Sequence, residues 1–420
     1  MSVAEIAVRP SLRERLGLPA LDRPGSRPLV VAMWIDALGR GLFIYFYLLY
    51  LTKEVGFPLS TAGAVLSIVT ALGLAVTPLA GSLVDRLGSK EMLVASQFIC
   101  AVGYAGLLFV PHSVPLLLLN AGLISIGENI FWVGYPNLVS QIADPEHRDR
   151  WFAFMGMSRT AGVGLGGLIA SAVIAIVGTH GYKVLLGANV CTFAIAGVII
   201  LLRVSRIARS RSTREHGGWM AVIRDRRIML LATAHGFGVL VILIVFQGLP
   251  LYVVDELKLP GWVPGLLLAV NTGILAAGQS IGLKLVAGWR RTRVYVLCAA
   301  VWLIGAFLFA IGEYIPAAIV IPYLFLAMVI ASGGEVFHLP QNGGAPTALA
   351  PEALRGRYLA LFSLVWTVAG IASPTMVSLL LSVNGVLLWA GMGAAALATA
   401  AVALYSERVI APDVQRMPAR

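Results

Sequence analysis

Asp36 and Arg40 lie four residues apart in WIDALGRGLFIYFYLLY, a stretch that is otherwise almost wholly apolar. On a helix that spacing puts both side chains on one face, within reach of each other. An acid beside an arginine can bind and release a proton or hold a cation, the arginine tuning its acidity. Glu128 and Glu335 are further carboxylates inside apolar runs, and Arg159 is a further cation. Each such group costs about 2.5–3.5 kcal/mol by insertion scales if the run crosses a bilayer, so each marks a functional position by default. Asp36, Glu128 and Glu335 are therefore candidate proton carriers, with Arg40 and Arg159 as their charge partners. Arg159 should face inward and pair with Glu128 or Asp36. His235 and His338 fit hydrogen-bonded core positions, and His338, one turn from Glu335, is placed to neutralise it.

The surrounding elements must be membrane helices. Of 420 residues, 59% are hydrophobic and only 12% charged, about half the charged fraction of a soluble domain. The apolar residues come in runs of about 20 or more, enough to cross a hydrocarbon core. Only helices satisfy their own backbone along such runs. The expected fold is an all-α polytopic membrane protein of twelve transmembrane helices, near 28–52, 60–83, 91–110, 114–142, 151–177, 183–203, 228–253, 263–286, 294–312, 316–347, 354–381 and 385–406. With both termini in the cytoplasm, 26 of the 31 Lys and Arg residues fall on that side, and only Lys53, Lys183 and Lys258 on the other. That is the bias of the positive-inside rule.

The first 27 residues carry five arginines and no apolar core, so they read as a cytoplasmic tail and not a signal peptide. Residues 28–203 form a first six-helix bundle, 204–227 a basic linker, 228–406 a second bundle, and 407–420 a C-terminal tail. The stretch from Arg203 to Arg227 holds eight arginines, which suit anionic lipid and topology control better than nucleic acid. Cys100, Cys191 and Cys298 all fall in apolar runs and are expected as plain core residues, with neither a disulfide nor a metal implied. The halves are repeats: Gly127-Glu128 recurs 207 residues later as Gly334-Glu335, Trp151 as Tyr358 and Thr160 as Thr367. Two parallel six-helix repeats form a transporter architecture with a site between them near the midplane.

Between the second and third spans lies GSLVDRLGSKEML, residues 81–93. It resembles the signature loop of the major facilitator superfamily, Gly-x-Leu-x-Asp-Arg-x-Gly-x-Lys, through Gly81, Leu83, Asp85, Arg86, Gly88 and Lys90. The resemblance implies that this loop latches the cytoplasmic ends of helices 2 and 11 in an outward-facing state. Gly81 is expected to admit a close helix, and Asp85 to face a helix N-terminus. The second half keeps only GLKLVAGWRRTR at residues 282–293, with no acid.

The Asp-x-x-Gly-x-Gly setting of Asp36 is similar to the first helix of drug exporters in that superfamily. GVGLGG, residues 162–167, matches a dinucleotide fingerprint by letter but lies in an apolar helix, where it reads as a packing face. It also resembles the exporters' helix-5 signature Gly-Pro-x-x-Gly-Gly, with Val163 in the proline's place. No arginine occurs between residues 114 and 142, where antiporters of the family usually carry one, so Arg40 or Arg159 must fill that role in an antiporter.

Trp34, Tyr45, Phe131, Trp132, Tyr135, Phe237 and Phe246, with Gln247 and Asn271 as polar contacts, could line a cavity for a flat lipophilic ligand, although such a stripe also suits helix packing. No phosphate-binding loop or nucleophile motif occurs, so neither an enzyme nor a cofactor is expected. The expected function is proton-coupled export of small amphipathic molecules across the inner membrane by a monomer. Proton-coupled uptake of a sugar or other nutrient, and a non-transporting sensor, are the alternatives.

Overall fold

The computed structural model describes residues 23–110, 112–143, 148–205, 219–351, 354–410 and 417. Most of the two tails and of the basic linker lie outside the described residues. Twelve long helices order the described chain: α1 (Ser26–Phe43), α2 (Leu59–Leu87), α3 (Ser89–Leu107), α4 (Val114–Ile142), α5 (Arg148–Val177) and α6 (Gly181–Arg203), then α7 (Arg226–Leu251), α8 (Val263–Leu285), α9 (Arg291–Ala310), α10 (Val320–His338), α11 (Arg355–Leu381) and α12 (Gly385–Ser406). Nine described stretches are long and apolar enough to cross a membrane, one of them spanning both α5 and α6, and the apolar part of α8 is a shorter tenth. α3 falls short of that measure because Lys90, Glu91 and Gln97 dilute it. It packs against α4 and α6 instead.

Two expected elements differ in detail. The tenth span was expected to run unbroken over 316–347, but α10 stops at His338 and a separate helix covers Gln341–Leu349. Pro340 lies in the break; it has no N–H to donate and its ring crowds the preceding turn. Inside the expected linker, Trp219–Arg224 is helical because Val222 is fully buried. Cys100 and Cys298 are core residues, whereas Cys191 is exposed, on a helix whose outer face presents apolar side chains to lipid.

The repeat is visible in the backbone. α1 continues to a π-turn at Tyr50–Glu54, and α7 to one at Tyr252–Glu256. Tyr50 donates to the Leu107 carbonyl and Tyr252 to the Phe309 carbonyl, both at 2.8 Å. Gly127 sits where a Cβ would meet Cys100 Sγ at 2.5 Å, and Gly334 where one would meet Trp302 at 2.6 Å. In each half that glycine lets the glutamate-bearing helix lie close to its neighbour.

The halves meet mainly through α2 on α11 and α5 on α8. The contacts concentrate at the end away from the termini. There the Thr375 hydroxyl lies 2.8 Å from Ser67 Oγ, Tyr45 stacks on Phe246 at 5.6 Å, and Lys53 pairs with Asp255. At the terminal end a Cβ added to Gly81, Gly156 or Gly356 would meet nothing within 4 Å. Leu79, Met157, Leu364 and Val368 are exposed. The gap between the bundles therefore opens toward the side that carries the termini.

Candidate functional site

Glycines bring the charged residues together. A Cβ on Gly41 would meet the Val163 carbonyl oxygen at 2.1 Å, and one on Gly166 the Leu38 carbonyl oxygen at 2.2 Å. α1 and α5 are thereby pressed backbone to backbone along the GVGLGG face, which is the packing role read from the sequence. Gly164 of that run instead faces Thr272 on α8, and Gly167 faces Tyr45.

Asp36 is fully buried and is the hub of the resulting network. Arg40 Nε donates to its Oδ2 at 2.9 Å and Arg159 Nη1 to the same oxygen at 3.0 Å, while Gln97 Nε2 donates to Oδ1 at 3.1 Å. Arg40 Nη1 also bonds Glu128 Oε1. Two acids and two arginines sum to zero charge, a balance that buried ions need because an uncompensated one is very costly. Arg159 is partnered with Asp36; Arg40 is what links Glu128 to the same hub.

The arginines also lie on aromatic faces. The Arg40 guanidinium is 4.5 Å from the Phe131 ring centre and 5.1 Å from that of Phe193, and Arg159 is 4.9 Å from both Phe131 and Trp132. Such contacts contribute about 0.5–2 kcal/mol each. Phe131 is fully buried and stacks on Tyr135 at 5.2 Å, so it is a platform under the arginines and not an open cavity wall. Within the network, Glu128 and Arg159 keep partly exposed side chains, 26% and 19%, and Trp34 and Trp132 are exposed beside them.

The second half arranges its carboxylate differently. Asn271 donates to Glu335 Oε2 at 2.9 Å and to Ser332 Oγ at 3.0 Å. No ion pair reaches Glu335 among the described residues. His338 does not neutralise it: the ring lies parallel to His235 at 4.5 Å, enclosed by Trp302, Tyr295 and Phe362. His338 is not the hydrogen-bonded core residue expected, since neither of its ring nitrogens finds a partner among the described residues, whereas Asn342 lies beside His235. Gln247 donates to Ser373 Oγ at 3.0 Å, beside the Tyr45–Phe246 stack.

Gln97 was not singled out in the sequence, although it is an amide in an otherwise apolar stretch of α3. Phe193 gave no signal, since a lone Phe in an apolar helix is ordinary. In the signature loop, Gly88 has a φ of 108°, a conformation that glycine adopts without strain, and it turns α2 into α3. Lys90 donates to the Leu201 carbonyl at 2.9 Å, and Arg86 is exposed. The Asp85 side chain lies outside the described residues. Gly81 makes no close helix contact in this conformation, because α2 and α11 are apart at that end.

A family model described as Major Facilitator Superfamily matches residues 29–374. The chain is 25% identical over 345 residues to "Multidrug resistance protein MdtH" of Edwardsiella ictaluri (strain 93-146), covering 80% of this chain and 81% of that one. It is 24% identical over 344 residues to the protein of that name in Yersinia pestis (strain Pestoides F), at 80% and 82% coverage. Among solved structures it resembles a bacterial homolog of the human lysosomal transporter Spinster, described as inward-facing and occupied. That match has a TM-score of 0.74 and 13% identity over 98% of this chain and 100% of the other. The nucleoside transporter NupG also has a TM-score of 0.74, with 15% identity over 91% and 99%.

Proposed function

The chain belongs to the major facilitator superfamily, and from that premise we propose that it exports small amphipathic molecules in exchange for protons, with the Asp36–Arg40–Glu128–Arg159 network as the coupling site. The printed name of its relatives, multidrug resistance protein, supports export of drug-like cargo. The single observation that carries the coupling role is that one buried carboxylate, Asp36, holds both arginines.

Protonation of Asp36 or Glu128 leaves an arginine without its counter-charge. The network then relaxes by moving α1, α4 and α5 relative to one another. With the termini in the cytoplasm, the conformation described above is the inward-facing one, ready to take cargo from that side. Protons arriving from outside would favour release of the cargo there, and loss of protons inward would restore the neutral network. Glu335, bonded by Asn271, is a third carboxylate that can carry a proton in the same cycle. The loop carrying Asp85 and Arg86 would join α2 to α11 in the opposite state.

The test is proton release from acidified inverted vesicles, followed with a pH-sensitive dye. The panel comprises ethidium, a neutral macrolide and a range of sugars. Proton loss on adding ethidium or the macrolide, absent in Asp36→Asn and Glu128→Gln, is the expected result. A response to sugars alone would replace export with nutrient uptake, and unchanged responses in both variants would remove the coupling assignment.

A further inference from the structure

The second half has a cavity of about 350 Å³ between α7 and α11, within the roughly 300–1,000 Å³ usual for small-molecule sites. Phe237 and Leu240 of α7 and Leu361, Leu364, Val365 and Val368 of α11 form its walls, and among the described residues no charged side chain lines it. It starts at Ala372, just beyond the point where Gly370 approaches Thr70 of α2, and runs toward the terminal end. Leu364 and Val368 are 38% and 55% exposed. The cavity therefore borders the end of the α2–α11 contact, where the bundles separate.

Its position gains meaning from the repeat. At the offset that relates Glu128 to Glu335, Arg159 of α5 corresponds to Trp366 of α11, inside the segment that lines the cavity. At the offset that relates Tyr50 to Tyr252, Asp36 of α1 corresponds to Gly238 of α7, next to Phe237. The α1–α5 seam is filled by the Asp36–Arg159 ion pair and by backbone contact at Gly41 and Gly166. Along the corresponding α7–α11 seam the residues that line the cavity are uncharged among the described residues, and the space between them is hollow and mostly apolar.

We propose that the α7–α11 cavity is a cargo subsite that receives the flat, apolar part of the exported molecule. The partly exposed Glu128 and Arg159 across the gap are then left to face its polar end. This deepens the export reading and rests on it. A hollow lined by Phe, Leu and Val selects by size and apolar area and tolerates many ring systems, since an added methylene changes the fit by only about 1–3 kcal/mol.

Two variants test the subsite with ethidium as the probe. Val368→Trp fills the cavity from an exposed position, where folding is least disturbed. It should raise the KM for ethidium about tenfold or more while the dependence of transport on external pH stays as in the wild type. In a Cys191→Ser background, Leu364→Cys should react with a water-soluble maleimide in inverted vesicles, and ethidium should slow that reaction. Ethidium export with a normal KM in Val368→Trp, or a cysteine that ethidium does not protect, overturns the subsite while leaving export intact. A cysteine reached only by a lipid-phase maleimide also overturns it and makes an acyl chain the occupant. A wild-type protein that exports other panel compounds but not ethidium contradicts a subsite for flat, apolar groups. If the wild type moves none of the panel, the export reading itself has failed.

Discussion

The two halves share a backbone plan yet solve the same interior position in opposite ways. In the first, Asp36 joins Arg40, Arg159 and Gln97, with Phe131 beneath the arginines. In the second, the residue that corresponds to Phe131 is His338, stacked on His235, and the one that corresponds to Arg159 is Trp366. Glutamates at matching positions illustrate the difference: Glu128 bonds an arginine, whereas among the described residues Glu335 is bonded by the neutral amide of Asn271. A parallel repeat thus supplies the scaffold for alternating access, while charge and cavity are allotted to different halves.

Breaking the charged half should have the largest effect. Arg40→Met takes the cation from Glu128 and leaves Asp36 with Arg159 and Gln97; breaking this buried pairing should lower stability by about 3–5 kcal/mol, read by thermal unfolding in detergent. Gln247→Met in the second half removes one neutral hydrogen bond to Ser373 and should cost only about 1 kcal/mol. Equal losses would erase the distinction between the halves.

A smaller effect is expected at the far end, where the π-turns meet. Lys53 and Asp255 occupy the same position in their respective π-turns and pair with each other across the two halves. Lys53 is 41% exposed, so the pair contributes up to about 1 kcal/mol, roughly a fivefold shift in the open–closed balance. Lys53→Asp should speed labelling of a far-end cysteine by about that factor, and adding Asp255→Lys should reverse the gain. Labelling that does not respond to either change would remove the pair from the gate.

A last, local effect concerns the entry to α7. Asp225 caps that helix by accepting from Arg227 N at 3.0 Å, and it accepts from the Tyr358 hydroxyl of α11 at 2.8 Å. Burial raises the pKa of this carboxyl, but the bonds from Arg227 and Tyr358 outweigh it and hold the group below its ordinary value. A carboxylate with a depressed folded-state value stabilises the fold at neutral pH. That contribution falls away as pH drops below the ordinary carboxylate value of about 3.9. Asp225→Ala should cost about 0.5–2 kcal/mol at neutral pH and remove that part of the acid dependence. A variant with the wild-type acid profile would show that the cap is not the source.

Much of the fold was legible because hydropathy runs and arginine placement are additive signals along the chain. Asp36, Arg40, Glu128 and Arg159 stood out for a related reason: each is expensive in an apolar run. Which acid pairs with which arginine was not legible, since it depends on how closely α1 and α5 approach at Gly41 and Gly166. The stacking of His338 on His235 was hidden for the same cause: Gly238 clears the space for the ring from another helix. The α7–α11 cavity could not be read at all, because its residues are ordinary apolar ones and only their spacing in three dimensions leaves a void.

The measurement that bears most directly on the coupling site separates exchange from accumulation. Asp36→Asn would be reconstituted in liposomes and assayed twice with ethidium, once as counterflow at equal pH and once as accumulation driven by a proton gradient. A variant that still exchanges cargo at a rate within about twofold of wild type, yet no longer accumulates it, is the outcome that our account requires. Accumulation that persists at the wild-type level would contradict the assignment of coupling to the first-half network.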